Sequence, residues 1–320
     1  MPRVTVIIPN YNGKRLLSIC LDSLRTQEFQ DFSVLVVDNG STDNSVCFLR
    51  EFYPEVKVIE LEKNYGFSYA VNRGIEVSTS EYVALLNNDM EVTPGWLKEM
   101  IIALDEHPEA SACNPKVLRY NERNRINVLG IRYNSNSEVE IIGAGKEDNG
   151  QYQGIKQIFG VNAGASLYRR EIFKDIGLFD EIFFASFEDV DLSFRAQLAG
   201  YKAIFVPTAV SYHMIGATIK RRRYIQTYLN NRNSLLCFLK NMPYELMLRN
   251  LWSVLSYRLS MFLKRTFLNF YKVRTYYFLA GVTAAITRIP YVIKARKEVQ
   301  KKRRVSIEYI ASIMDRDFIE

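Results

Sequence analysis

Apolar residues arrive along the first ninety positions in two alternating rhythms. Val4-Thr5-Val6-Ile7-Ile8 is a short, nearly continuous apolar run, which predicts a buried strand, and it ends in the turn residues Pro9-Asn10-Tyr11-Asn12-Gly13. Leu16, Leu17, Cys20, Leu21 and Leu24 follow at helical spacing. Val34–Val37 predicts a second strand, closed by Asp38-Asn39-Gly40-Ser41-Thr42-Asp43, a tight turn with several N-caps for the next helix. Val56–Leu61 predicts a third strand, Gly66–Val77 a helix, and Tyr82–Leu86 a fourth strand running into Asn87-Asn88-Asp89. Strands separated by helices require crossover connections. The pattern therefore predicts an α/β fold with a mostly parallel sheet covered on both faces.

From about 110 to 165 the rhythm breaks into short β-like runs and Gly-containing turns. Residues 188–199 predict a helix, and Ala203–Val206 one more strand ending before Pro207. Beyond 220 the chain reads as consecutive helices. Charge divides at the same place: residues 1–219 carry a balance of −8 and residues 220–304 one of +18. The expected organisation is an acidic catalytic domain, 1–219, followed by a basic, aromatic-rich helical region, 220–320.

Composition removes several classes. With 48% hydrophobic residues, 16 Gly and 9 Pro in 320, the chain is neither disordered nor collagen-like. The four cysteines form no Cys-x-x-Cys pair, which excludes a thiolate zinc site, and a disulfide framework is not expected in a chain this long. Val4–Ile8 is too short for a secretion signal. A reduced, cytoplasmic protein is the expectation.

In an open parallel sheet, ligands bind beyond the carboxyl ends of the strands. Asn10–Gly13, Asp38–Asp43 and Asn87–Asp89 all sit at such ends. Each alone is also an ordinary Asn/Asp/Gly turn. No dinucleotide Gly-x-Gly-x-x-Gly and no Gly-x-x-x-x-Gly-Lys phosphate loop is present. A nucleotide diphosphate held without such loops needs another counter-charge, and a divalent metal gripped by Asp89 is one solution. Glu188, Asp189 and Asp191 crowd three acids into four positions. They read either as residues favoured at a helix N-terminus or as carboxylates that include a catalytic base. His213 reads either as a satisfied polar residue or, with a carboxylate, as a ligand for Mn²⁺ or Mg²⁺. His107, beside Pro108, is read as structural.

Taken in order, these stretches resemble the family-2 inverting glycosyltransferases with the GT-A fold, in particular the rhamnosyltransferase-like members that build cell-surface polysaccharides. The resemblance runs through Val4–Gly13, Val37–Asp43, Asn64–Gly74, Leu85–Met90, Gly164–Phe173, Gly177–Asp180, Glu188–Leu192 and His213. It implies that Asp38 hydrogen-bonds the base of a nucleotide-sugar, with Pro9, Asn10 and Tyr11 walling that pocket. Asn64, Gly66, Asn72 and Gly164 would line the donor. Asn87-Asn88-Asp89 would stand for the family's Asp-x-Asp motif; its first acid is Asn here, leaving Asp89 as the metal ligand, with His213 a further one. Asp189 would be the general base, with Glu188 or Asp191 orienting it or the acceptor.

The implied reaction moves a sugar from dTDP-rhamnose or a UDP-sugar to a hydroxyl of a glycan acceptor, lipid-linked at the inner face of the cell membrane. Residues 220–304 bear fourteen aromatics, and their longest uncharged run, Thr275–Thr287, falls short of the roughly twenty residues of a spanning helix. Such helices suit a membrane interface and anionic head groups, or a solvated bundle packed on the catalytic domain. Two competing readings are a catalytically degenerate nucleotide-binding scaffold, prompted by Asn87 and Asn88, and a nucleic-acid binder using Lys220–Arg223 and Lys301–Arg304. Nucleic acid is not the expected partner.

Overall fold

Val4, Val6 and Ile8 face one apolar layer while Ile7 between them faces another, which is why the first strand is a continuous apolar run rather than an alternating one. The computed structural model describes residues 1–215, 223–267 and 272–315. Its elements, in chain order, begin with β1 (Val4–Asn10), α1 (Lys14–Arg25), β2 (Phe32–Asp38), α2 (Ser45–Phe52), β3 (Lys57–Glu60), α3 (Phe67–Val77), β4 (Tyr82–Leu85) and β5 (Met90–Val92). They continue with α4 (Trp96–Glu106), β6 (Ala110–Arg119), β7 (Glu122–Val128), β8 (Ile131–Tyr133), β9 (Val139–Ile141), β10 (Lys156–Ile158) and β11 (Leu167–Arg169). Then come α5 (Glu171–Ile176), α6 (Glu188–Leu198) and β12 (Lys202–His213).

The main sheet has the order β10-β12-β6-β11-β4-β1-β2-β3. Pairing is parallel through β3-β2-β1-β4 and between β6 and β12, while β11 runs antiparallel between those two blocks. Helix α1 buries Leu17, Cys20, Leu21 and Leu24 against one face. Helix α3 buries Ala70, Val71 and Ile75 against the other. Each leucine so covered contributes roughly 1.5–3 kcal/mol. The fold is the α/β architecture the pattern predicts.

One boundary differs. The strand expected to stop before Pro207 continues to His213, and a register shift between Val206 and Val210 lets the proline sit in a bulge where no ladder donor is required. The extension matters, because β5 pairs with its far end, His213 opposite Met90.

The helical region comprises α7 (Arg223–Asn241), α8 (Tyr244–Arg249), α9 (Leu251–Phe267), α10 (Lys272–Ile286), α11 (Ile289–Lys301) and α12 (Ile307–Ile313). These helices share a third apolar core with α6, in which Phe183, Phe194, Leu236, Val292 and Ile310 are buried. The expected boundary at 219/220 and the basic run Lys220–Arg222 lie outside the described residues. The other basic run docks the end of α11 on the domain: Arg304 bridges Asp175 with two contacts of 2.7 Å and Lys302 donates to the Asp175 carbonyl, while Lys301 pairs with Glu298 within the helix.

Candidate active site

The three polar strand ends meet. Asn88 Nδ2 donates to Asn10 Oδ1 at 2.7 Å, and Asn10 Nδ2 donates to Asp38 Oδ1 at 2.8 Å, so one hydrogen-bonded row joins β4, β1 and β2. Asp38 Oδ2 accepts the amide of Ser41 at 2.9 Å, shaping the turn after β2. Gly13 starts α1 directly over this row; a Cβ there would lie 2.1 Å from Asn88 Nδ2 and 2.5 Å from Asn10 Oδ1. Pro9 continues β1 beside Val37, and Tyr11 lies half-buried just past the strand.

A residue the sequence reading passed over completes this edge. Asn39, buried, donates to the Gly66 carbonyl at 2.9 Å and accepts from the Tyr65 amide at 2.9 Å. Asn64 Oδ1 accepts from the Gly66 amide at 2.9 Å. Gly66 sits at φ 97°, and its missing side chain makes room for the Phe184 ring, which a Cβ would approach within 2.6 Å. Asn72 lies buried in α3. Its side chain donates to the Phe179 carbonyl at 2.8 Å and accepts from the Phe179 amide at 3.0 Å, so it ties α3 to the following layer.

Asp89 precedes β5, and the β5–β12 pairing carries His213 to it: His213 Nε2 lies 3.4 Å from Asp89 Oδ2. His213 Nδ1 lies 2.8 Å from Asn127 Oδ1, a contact that orients the ring so that Nε2 faces the Asp89 carboxylate. Asp89 Oδ1 is buried with no hydrogen-bond partner. Among the described residues no group of three His, Cys, Asp or Glu side chains surrounds this point.

The acidic cluster separates into different environments. Asp189 Oδ1 accepts from the Val190 amide at 2.8 Å, and Oδ2 accepts from Asn162 Nδ2 at 3.1 Å. Glu188 is buried, and its Oε2 has no partner. Burial, and then the neighbouring Asp189, push Glu188 up to about 8; burial also pushes Asp189 up, against the hydrogen bonds it accepts. Asp191, expected among the catalytic acids, is a structural anchor instead. It is fully buried and bound by Arg195 Nε at 2.8 Å, Lys240 Nζ at 2.8 Å and Asn241 Nδ2 at 2.8 Å. Burial would raise its pKa, but those two cations hold it below the usual carboxylate range.

Asn162 links the two halves of the site. Its Oδ1 accepts from the Gly164 amide at 3.1 Å, and the Gly164 carbonyl accepts from the Asn87 amide at 2.8 Å. A path of hydrogen bonds thus runs from the Asn87–Asp89 loop to Asp189. The only sequence signal for Asn162 is a lone polar side chain between Val161 and Ala163.

The segment before α6 is strained: Phe184, Ser186 and Phe187 have φ of 62°, 68° and 69°. Helix α7 holds it there. Asn233 Nδ2, fully buried, lies within hydrogen-bond distance of the carbonyls of Phe183 (2.9 Å), Ala185 (2.9 Å) and Ser186 (2.7 Å). Arg232 adds contacts to the carbonyls of Ile182 at 2.8 Å and Phe183 at 2.9 Å. On its other side the Phe184 carbonyl accepts from the Phe67 amide at 2.6 Å. One loop therefore touches the Gly66 turn, presents Asp189, and depends on the C-terminal helices.

Residues 5–177 match the family model described as Glycosyl transferase family 2. The chain is 39% identical over 116 residues to an uncharacterized glycosyltransferase, YibD, of Escherichia coli, covering 35% of this chain and 33% of that protein. It is 28% identical over 233 residues to the N-acetylglucosaminyl-diphospho-decaprenol L-rhamnosyltransferase of Mycobacterium tuberculosis, covering 65% and 75%. The chain spans a third or less of the length of several curated relatives it matches. The solved mannosyltransferase PcManGT of Pyrobaculum calidifontis, in complex with GDP-Man and Mn²⁺, superposes with a TM-score of 0.59 at 20% identity, covering 89% of this chain and 87% of that one. The likeness shows the fold, that of the GT-A glycosyltransferases.

Proposed function

The chain belongs to glycosyl transferase family 2, and from that premise we propose that it catalyses inverting transfer of a sugar from a nucleotide-sugar to a hydroxyl of a glycan acceptor in cell-surface polysaccharide synthesis. The donor is dTDP-rhamnose or a UDP-sugar, and the acceptor is lipid-linked, as in the name of the mycobacterial relative. The observation that carries the reading is the hydrogen-bonded path from Asn87 through Gly164 and Asn162 to Asp189, which fixes a carboxylate relative to the three strand ends.

In this reading the pocket at Asn10, Asp38, Asn64 and Gly66 receives the nucleotide, and Asp38 accepts from the base. Asp189 takes the proton of the acceptor hydroxyl as its oxygen bonds to the anomeric carbon; the bond from that carbon to the diphosphate oxygen breaks, and the nucleoside diphosphate departs. A single base on the face opposite the leaving group gives inversion. Glu188, pushed up to about 8 by burial and the neighbouring Asp189, holds a proton beside it near neutrality.

Asp89 and His213 fit a divalent cation: one has a buried oxygen without a partner, the other a ring nitrogen oriented toward it by Asn127. When bound, Mn²⁺ or Mg²⁺ would supply the counter-charge for the diphosphate. His213 and Asp89 would hold it, with diphosphate oxygens or water completing the shell.

The helical region would rest on the cytoplasmic face of the membrane as a peripheral element. Trp252, Leu259, Tyr276 and Ile286 are exposed there, at 82%, 57%, 67% and 58%, on a segment of strongly positive balance. No single described helix is long and apolar enough to cross a bilayer; one bent pair, Thr275–Ile286 with Ile289–Lys301, meets at 61°.

The test is thermal unfolding of the chain with a panel of nucleotide-sugars and Mn²⁺, Mg²⁺ or EDTA, followed by product analysis. A metal-dependent stabilisation by one dTDP- or UDP-sugar, lost in Asp89→Ala, is expected. No stabilisation by any donor overturns the reading. Binding without product under any acceptor condition favours the degenerate scaffold.

A further inference from the structure

Between the first turn of α6 and helices α7, α9 and α10 lies a cavity of about 790 Å³, within the size range of a small-molecule site. Asp189 and Asn162 form part of its wall. Helices α9 and α10 supply an apolar stretch that includes Leu255, Met261, Phe262, Phe278 and Leu279. Leu255 and Leu279 are also about half exposed, at 49% and 48%, so the apolar part opens to the outside beside them.

Among the described residues one cation stands in this wall. Arg258 donates from Nη1 to Ser234 Oγ at 2.7 Å and from Nη2 to Ser137 Oγ at 3.1 Å, while its Nε is buried with no partner. Among the described residues the groups that act electrostatically on it are Tyr133, Tyr257 and Cys237, and no carboxylate is one of them. Burial without a counter-ion is costly for a guanidinium, and it pulls this one below its ordinary pKa. A neutral lipid would fill the apolar part and leave Arg258 unmatched. A free glycan would match polar groups and leave the apolar part against its hydroxyls. An amphiphile with an anionic head satisfies both.

We propose that this cavity seats an amphiphile bearing a phosphate or diphosphate, with the anion on Arg258 and the hydrocarbon chain along α9 and α10. It rests on the reading of Asp189 as the base, since the cavity wall then brings the acceptor's sugar to that carboxylate. Gln226 and Asn230, hydrogen-bonded to each other at 2.9 Å, provide further polar lining for that sugar.

The experiment titrates the full chain, in EDTA to keep metal from holding diphosphate elsewhere, with geranylgeranyl diphosphate, geranylgeraniol and inorganic pyrophosphate. Calorimetry reads affinity, and nucleotide-sugar stabilisation is measured separately with metal. Geranylgeranyl diphosphate is expected to bind at least about tenfold more tightly than either other probe, as a charge-assisted pair in a buried site predicts. Arg258→Ala should bring it down to the level of the alcohol, and Leu279→Trp, which fills the cavity, should weaken both chain-bearing probes. Equal binding of the diphosphate and the alcohol overturns the proposal. So does pyrophosphate binding as tightly as the amphiphile, which marks a free-phosphate site. If Arg258→Ala fails to fold, Leu279→Trp decides: unchanged amphiphile affinity there places the ligand elsewhere and overturns the proposal. Loss of nucleotide-sugar binding alone counts against the proposed function and not against this site.

Discussion

Asn162 donates its side-chain amide to Asp189 Oδ2 at 3.1 Å while its own Oδ1 accepts from the Gly164 amide at 3.1 Å. A side chain with one donor and one acceptor committed in opposite directions has a single orientation, so it orients the carboxylate as well as contacting it. Asn162→Ala should lower kcat by about ten- to a hundredfold with little change in the donor's KM, because the lost hydrogen bond orients Asp189, the proposed base, and not the nucleotide. Steady-state kinetics with varied donor separate these terms. An equal rise in KM with unchanged kcat would assign Asn162 to donor binding.

Asp189→Asn keeps the shape of the side chain and removes its basicity. Turnover should fall about a thousandfold while nucleotide-sugar stabilisation in thermal unfolding persists. If donor stabilisation vanishes in a variant that still folds, Asp189 belongs to the donor pocket and the base lies elsewhere.

Glu188 makes stability depend on pH with a defined sign. Its ordinary value is 4.5, and burial followed by the charge of Asp189 raises it to about 8 in the folded chain. Between those values the folded state holds a proton that the unfolded state has released. The contribution is therefore fully present below the ordinary value and is lost as pH rises through about 8. Glu188→Gln removes the titration, so the stability of wild type relative to the variant should fall between about pH 5 and about pH 8 and level off above that. Urea denaturation across that range measures it, and parallel curves would show that Glu188 is not the group taking up the proton.

Asn233 bears on both fold and catalysis. Replacing it with Leu leaves the carbonyls of Phe183, Ala185 and Ser186 without their shared donor. Stability should drop by about 2–4 kcal/mol, because buried acceptors lose their partner beneath a strained loop. Chemical denaturation gives that figure. In the surviving folded fraction the donor's KM should rise too, since Phe184 in the same loop packs on Gly66. A loss confined to stability would uncouple the loop from the donor site.

Asp191 shows where a motif read along the chain misleads. Three acids in one helical turn look equivalent in sequence, yet Asp191 is enclosed by Arg195, Lys240 and Asn241, while Asp189 faces a cavity. Two of those partners lie about fifty residues downstream in α7, in a region whose composition pointed to a membrane surface. Asn72 is likewise held by partners far along the chain, the Phe179 backbone and Glu181.

By itself the sequence determined the α/β layering, because uninterrupted apolar runs and 3.6-residue spacing are local and survive in any context. It also placed Asn10, Asp38 and Asn87–Asp89 at strand ends, since a turn must follow each run. Only the tertiary structure decided which of these side chains meet. The pairing of β5 with the end of β12 brings Asp89 to His213, and α7 reaches back to hold the loop before Asp189. Those contacts join residues more than forty positions apart, and their energies come from hydrogen bonds and burial made once the layers pack. No periodicity along the chain encodes them.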